Sequence, residues 1–143
     1  MKRAVSLAVV LLASVVVISG CGPTAPLGEA TLEDTDWVLE LYGEADSPQA
    51  ALTGVEVTIF FDSAERGANG NGGINHYGGK YQLDGDQLTF PEGVMTTCLG
   101  GNTAVLQQEE EYIGMLSSAD SFEIADYKLH IYCNGDVIVY RQK

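Results

Sequence analysis

The chain has 143 residues, enough for one folded domain with its own core but not for two. Twenty acidic residues stand against seven basic ones, a formal net charge of −13. A surface this acidic repels nucleic acid and anionic headgroups, which excludes both as binding targets and leaves solubility as its plainest meaning.

Lys2 and Arg3 open the chain, and an apolar run follows over residues 4–18. That run has signal-peptide length and falls short of the roughly 20 residues of a membrane span. It ends in Ile18-Ser19-Gly20-Cys21, small residues directly before a cysteine, which matches the lipobox of bacterial lipoproteins. Residues 1–20 are therefore expected to be removed and Cys21 to be lipidated. Lipidation moors the protein to a membrane of the bacterial cell envelope, stably if two or more acyl chains are added. Gly22 is not the aspartate associated with inner-membrane retention, so a Gram-negative host points to the outer membrane. Residues 21–31, with Pro23, Pro26, Gly22 and Gly28, read as a tether. The folded domain is expected over residues 32–143.

Trp37-Val38-Leu39 with Leu41 and Tyr42 reads as a first strand, Trp37 being a core anchor because of the area it buries. Residues 44–53 form a loop. Residues 55–61 alternate cleanly, with Val55, Val57, Ile59 and Phe61 on one face of a strand. The stretch 67–81, GANGNGGINHYGGKY, holds six glycines and three asparagines. It lacks the Gly-Lys-Ser/Thr of a phosphate loop and leads into a strand, so it reads as a strand that bends and bulges across a small sheet.

Two hairpins are signalled by their turns. Asp84-Gly85 as a type I′ loop sets Tyr81 opposite Leu88 and Leu83 opposite Asp86. Asn134-Gly135 pairs Ile131 with Ile138 and Leu129 with Tyr140. Between the hairpins lies one helix, capped by Asn102 or Thr103. Val105, Leu106, Tyr112, Ile113 and Leu116 recur at helical spacing, and residues 107–111 are expected to face water. Phe122, Ile124 and Tyr127 suggest a short strand. The fold class that follows is mainly β: a small antiparallel barrel or strongly curved sheet with one α-helix packed against it.

Several of these pieces together resemble the META domain, the HslJ-like family of bacterial envelope proteins. Trp37-Val38-Leu39 is similar to its opening Trp-x-Leu. Residues 70–81 are similar to its Gly-x-x-Gly-Cys-Asn-x-Tyr-x-Gly-x-Tyr, with Ile74 at the family's cysteine. Cys98, after Met95-Thr96-Thr97, is similar to the end of Thr-x-Met-Ala-Cys. Gln108-Glu109-Glu110-Glu111-Tyr112 with Leu116 resembles its Gln-Glu-x-x-Phe/Tyr-x-x-x-Leu helix. The similarity spans residues 32–141. It implies a small barrel-like β fold, export, frequent lipoprotein status and an association with envelope stress, and it supplies no catalytic residue.

With Cys21 lipidated, Cys98 and Cys133 remain. In an exported domain a disulfide between them is the leading expectation, stabilising by about 3–4 kcal/mol in the chain-entropy view. Free thiols, or zinc shared with His76 and His130, are the alternatives, although no C-x-x-C or H-x₃-H spacing occurs. No metal and no cofactor are expected. Neither a cysteine-protease signature around Cys98 nor Gly-x-Ser-x-Gly is present, so an enzyme is not expected. Asn75, His76 and Tyr77 are the candidate binding residues, with His130 and Tyr132 as further recognition candidates. The functional expectation is a lipid-anchored, non-enzymatic envelope domain with a binding or stress-related role. Its partner is an envelope protein or, alternatively, a small hydrophobic ligand in the barrel mouth; a thiol-dependent enzyme ranks below both.

Overall fold

A computed structural model describes residues 30–143. The lipobox, Cys21 and most of the tether lie outside the described residues. Eleven strands are present: β1 (Asp36–Glu44), β2 (Gln49–Ala50), β3 (Thr58–Asp62), β4 (Gly67–Asn71), β5 (His76–Lys80), β6 (Gln82–Asp84), β7 (Gln87–Thr89), β8 (Met95–Thr96), β9 (Ser121–Ala125), β10 (Lys128–Cys133) and β11 (Asp136–Gln142). Among the described residues a single helix, α1 (Thr103–Ser117), sits between β8 and β9.

The strands form one antiparallel sheet in the order β6-β7-β9-β10-β11-β1-β3-β4-β5-β8, with β2 added to β1. Connectivity explains its shape. β5 lies near one end of this path and β6 at the other, yet Tyr81 alone separates them in the chain. Adjacent Cα atoms are only about 3.8 Å apart, so the two ends must meet and the sheet must curl. The result is a half-barrel with α1 packed against β10 and β11, the architecture expected from the sequence.

The core fills the inside of the curl. Trp37, Phe61, Leu88, Tyr112, Leu116, Leu129, Ile131, Ile138 and Tyr140 are fully buried, and the Trp37 indole N–H donates to Leu32 O at 3.1 Å. Val57, Ile59 and Phe61 are buried as their alternation requires, although the hydrogen-bonded strand begins only at Thr58. The last hairpin has the expected register, Ile131 opposite Ile138 and Leu129 opposite Tyr140. Asn134 and Gly135 both take positive φ, 51° and 99°, as a type I′ turn demands.

Three local expectations are corrected. The glycine-rich stretch is two strands joined by a turn, not one bending strand. Asn71 makes that turn locally, its Oδ1 accepting the Gly73 N–H at 2.6 Å, while Gly73 takes φ 122°. The β6–β7 loop is Gly85-Asp86, so Leu83 faces Leu88. Gly85 has φ 64° and Asp86 does not go positive, which rules out the type I′ turn expected of Asp84-Gly85. Tyr127 is not a strand residue: Asp126 and Tyr127 turn between β9 and β10 with φ 51° and 61°, and Tyr127 is exposed.

Candidate functional site

The site is built where the β4–β5 hairpin meets α1. Gly70 lets β4 close on β3, and Gly72 lets the hairpin close on α1. A Cβ at Gly70 would stand 1.9 Å from Thr58 O, and one at Gly72 would stand 2.3 Å from Glu109 Oε1. Any side chain at Gly72 would therefore displace the Glu109 carboxylate.

Glu109 is 4 % exposed, and Gln108 beside it is 2 % exposed. Residues 107–111 were expected to face water as a group; Gln107, Glu110 and Glu111 do, but Gln108 and Glu109 turn inward. Their oxygens have partners, which lowers the cost of burial, while Gln108 Nε2 is buried without one among the described residues. Gln108 Oε1 accepts the Leu52 N–H at 2.7 Å. Glu109 Oε1 accepts the Asn75 backbone N–H at 2.7 Å, and Oε2 accepts from Asn75 Nδ2 at 2.8 Å. Both oxygens accept, which is the pattern of an ionised carboxylate.

Asn75 also holds the chain segment that precedes the helix. Its Oδ1 accepts from Leu99 N at 2.7 Å and Thr97 Oγ1 at 2.9 Å, and its Nδ2 donates to Leu99 O at 3.3 Å. Donors meet the oxygen and acceptors meet the nitrogen, so the network fixes the orientation of the amide. Thr97 N–H donates to His76 O at 3.0 Å, extending the attachment to β5. Asn102 closes the segment by capping α1, its Oδ1 accepting from Ala104 N and Val105 N.

Residues 96–100 and one edge of α1 border a cleft of about 560 Å³. Leu99, Leu106, Ile113 and Cys98 supply its apolar lining, while Glu109 and Glu110 bring carboxyl groups to it. Leu99 is 60 % exposed and Met95 77 %. A second groove of about 500 Å³ runs over Gly67, Gly78 and Gly79, flanked by Lys80, Glu92 and Met95.

The expected site residues separate. Asn75 borders the cleft but is buried, and it acts by positioning Glu109 and residues 97–99. His76 is exposed on β5. Tyr77, expected to be a binding residue, is a core group. Its hydroxyl donates to Thr58 O at 2.7 Å and accepts from Tyr112, which in turn accepts from Tyr140 at 3.0 Å. Burial first, then the neighbouring Tyr112, holds the Tyr77 hydroxyl well above the ordinary tyrosine value. Tyr132 donates to Glu123 Oε1 at 2.7 Å on the surface, and His130 is half-buried.

The disulfide expected between Cys98 and Cys133 is not formed; both thiols are free. Cys133 lies inside the sheet on the face of Leu129 and Ile131, and its Sγ donates to Ile131 O at 3.7 Å. Cys98 is held on the exposed segment that Asn75 pins in place. Burial, with Asp120 and Asp136 adding to it, pushes the Cys133 thiol up to about 12. Among the described residues no hydrogen bond joins Cys98 to an imidazole.

A family model of the META domain matches residues 30–143. The chain belongs to the META domain family. Among solved structures, this META domain is similar to an NMR structure of a protein from Burkholderia xenovorans, with TM-score 0.65 and 24 % identity over 78 % of this chain and 83 % of that one. It is also similar to a second protein solved by NMR, with TM-score 0.56 and 18 % identity over 78 % and 94 % of the two chains. A third is the crystal structure of a duf4847 family protein from Bacteroides vulgatus ATCC 8482, with TM-score 0.54 and 14 % identity over 77 % and 93 %. At these identities the likeness speaks for the fold alone. No curated protein matches the chain.

The inward turn of Gln108 and Glu109 was missed by hydropathy because both residues are polar. Gln-Glu-x-x-Tyr carried the signal. Positions 108, 109 and 112 share one helical face, and all three are buried.

Proposed function

We propose that this META domain is a non-catalytic binding module of the bacterial cell envelope, anchored through a lipid on Cys21, that takes small apolar ligands in the cleft between residues 96–100 and α1. The observation that carries this reading is the cleft itself. Its volume of about 560 Å³ falls among those of small-molecule sites, roughly 300–1,000 Å³. Leu99, Leu106 and Ile113 line it, and Leu99 is largely exposed. Asn75 ties residues 97–99 to the half-barrel, so little ordering is left to oppose binding. Thiol catalysis is disfavoured: Cys133 is buried and protonated, and Cys98 lacks an imidazole hydrogen bond among the described residues.

Shift mapping with 1-octanol tests the cleft. Amide and methyl perturbations should gather on Leu99, Leu106 and Ile113 and weaken in Leu99→Asp. Perturbations scattered elsewhere, or none, would refute the reading. The anchor has its own test. Cys21→Ser should leave the membrane fraction and lose the mass of the acyl chains; a variant that is still acylated removes the anchor from the proposal.

A further inference from the structure

We infer that the cleft selects small amphiphiles that carry a cationic head, such as a primary alkylammonium, rather than neutral or anionic ones. This rests on the binding reading above and names the ligand class of the same site.

The inference starts from the charges around the cleft. Glu109 and Glu110 line it, and no Lys, Arg or His does. Glu109 is buried, and its two oxygens are met only by the N–H groups of Asn75, which are dipoles and not counter-charges. The ion pairs among the described residues go to Glu33, Glu40, Glu56 and Glu65, and none goes to Glu109 or Glu110. Each oxygen of Glu109 spends one acceptor site on Asn75, and a carboxylate has about four. A buried carboxylate at the foot of an apolar cleft, without a cation, attracts one strongly because the local dielectric is low. The net charge of −13 adds a long-range pull of the same sign.

The other groove shows the contrast. There Lys80 stands among the carboxylates of Asp62, Glu65 and Glu92 and faces Glu65 at 3.9 Å, so a cation of the chain itself already occupies the acidic wall, as none among the described residues does in the cleft beside α1. Size decides between a small molecule and a basic peptide. A cleft of about 560 Å³ holds a drug-sized molecule and not an extended polypeptide segment. Leu99, Leu106 and Ile113 then cover the alkyl chain while the ammonium group sits toward Glu109 and Glu110.

The test uses three probes of one chain length: octylammonium, 1-octanol and octanoate. The protein is the processed chain from residue 21 with Cys21→Ser, so that no acyl chain competes; the described hydrophobic core closes within residues 30–143 and is retained. Dissociation constants come from chemical-shift titration at neutral pH. Octylammonium is expected to bind at least tenfold tighter than octanol, and octanoate at least tenfold weaker. Glu110→Gln should narrow the octylammonium-to-octanol ratio about threefold and Glu109→Gln should abolish it. If Glu109→Gln does not fold, Glu110→Gln carries the charge test, since Glu110 is exposed. Equal affinity for octylammonium and octanol, or tightest binding of octanoate, overturns the cation preference while the apolar cleft stands. Failure of all three probes to perturb Leu99, Leu106 and Ile113 overturns both.

Discussion

Asn75→Ala removes the side chain on which the site depends, and the structure sets the size of the loss. The bond from Nδ2 to Glu109 Oε2 is charge-assisted and buried, worth about 1.5–3 kcal/mol. The Leu99 N–H, Leu99 C=O and Thr97 hydroxyl lose their partner too, but they lie near the surface and can be rewetted, so each costs about 0.5 kcal/mol. The Asn75 backbone N–H keeps its bond to Glu109 Oε1. The expected destabilisation is about 3–4.5 kcal/mol, or about 12–18 °C in Tm at about 4 °C per kcal/mol for a domain of this size. Urea unfolding measures it directly, and a double-mutant cycle with Glu109→Ala isolates the pair. A coupling of at least about 1 kcal/mol is expected. A loss below about 1 kcal/mol with unchanged m, or additive single variants, would refute the account of Asn75 as the post that holds Glu109.

Gly70→Ala should cost about 3 kcal/mol in urea unfolding, because its Cβ meets backbone at Thr58 that β3 holds in place. Gly114→Ala is the counterpart: it is exposed on α1 with nothing within 4 Å, and should gain about 1 kcal/mol through helix propensity. Tyr127→Gly should raise stability by about 1 kcal/mol in a thermal melt, since a tyrosine at φ 61° is strained and its ring is mostly in water; a lower Tm contradicts the strain. Alkaline pH should unfold the domain. Burial raises the Tyr77, Tyr112 and Tyr140 hydroxyls above 10.0 and the Cys133 thiol from 9.0 to about 12. The native state holds these protons more tightly than the unfolded chain, so their contribution is complete below about pH 9 and is lost as pH rises through the raised values. Cys133 alone gives a slope of about 1.4 kcal/mol per pH unit between about 9 and 12. Unfolding free energies at pH 8, 10 and 11, with tyrosinate absorbance, check it, and a flat profile is the contrary result.

Features encoded within a few residues were legible without the structure. Asn134-Gly135 carries its own type I′ geometry, so the register of β10 with β11 follows from the turn and the alternation together. Asn102 caps α1 through its neighbours two and three residues on. The burial of Val57, Ile59 and Phe61 is visible as a period of two. Local chemistry misleads where turns compete or hide: Gly85-Asp86 replaced Asp84-Gly85, the glycine-rich stretch folds back at 72–75 as two strands, and Asp126-Tyr127 turns without any glycine because β9 and β10 pair on either side of it.

The candidate site depends on partners far apart in the chain. Asn75 and Glu109 are 34 residues apart, and nothing near either one announces the other. Hydropathy assigns Glu109 to water and Tyr77 to a binding surface; the curl of the sheet brings Asn75 to the first and Thr58 and Tyr112 to the second, and both become interior groups. The thiols part for the same reason, Cys133 facing the core and Cys98 facing solvent. Sequence alone determined the helix, the last hairpin and the alternating strand around Ile59, because those choices are settled by φ/ψ preference and side-chain period over a few residues. Which polar groups may be buried was decided only by tertiary structure, since a buried donor or acceptor is costly unless folding delivers its partner.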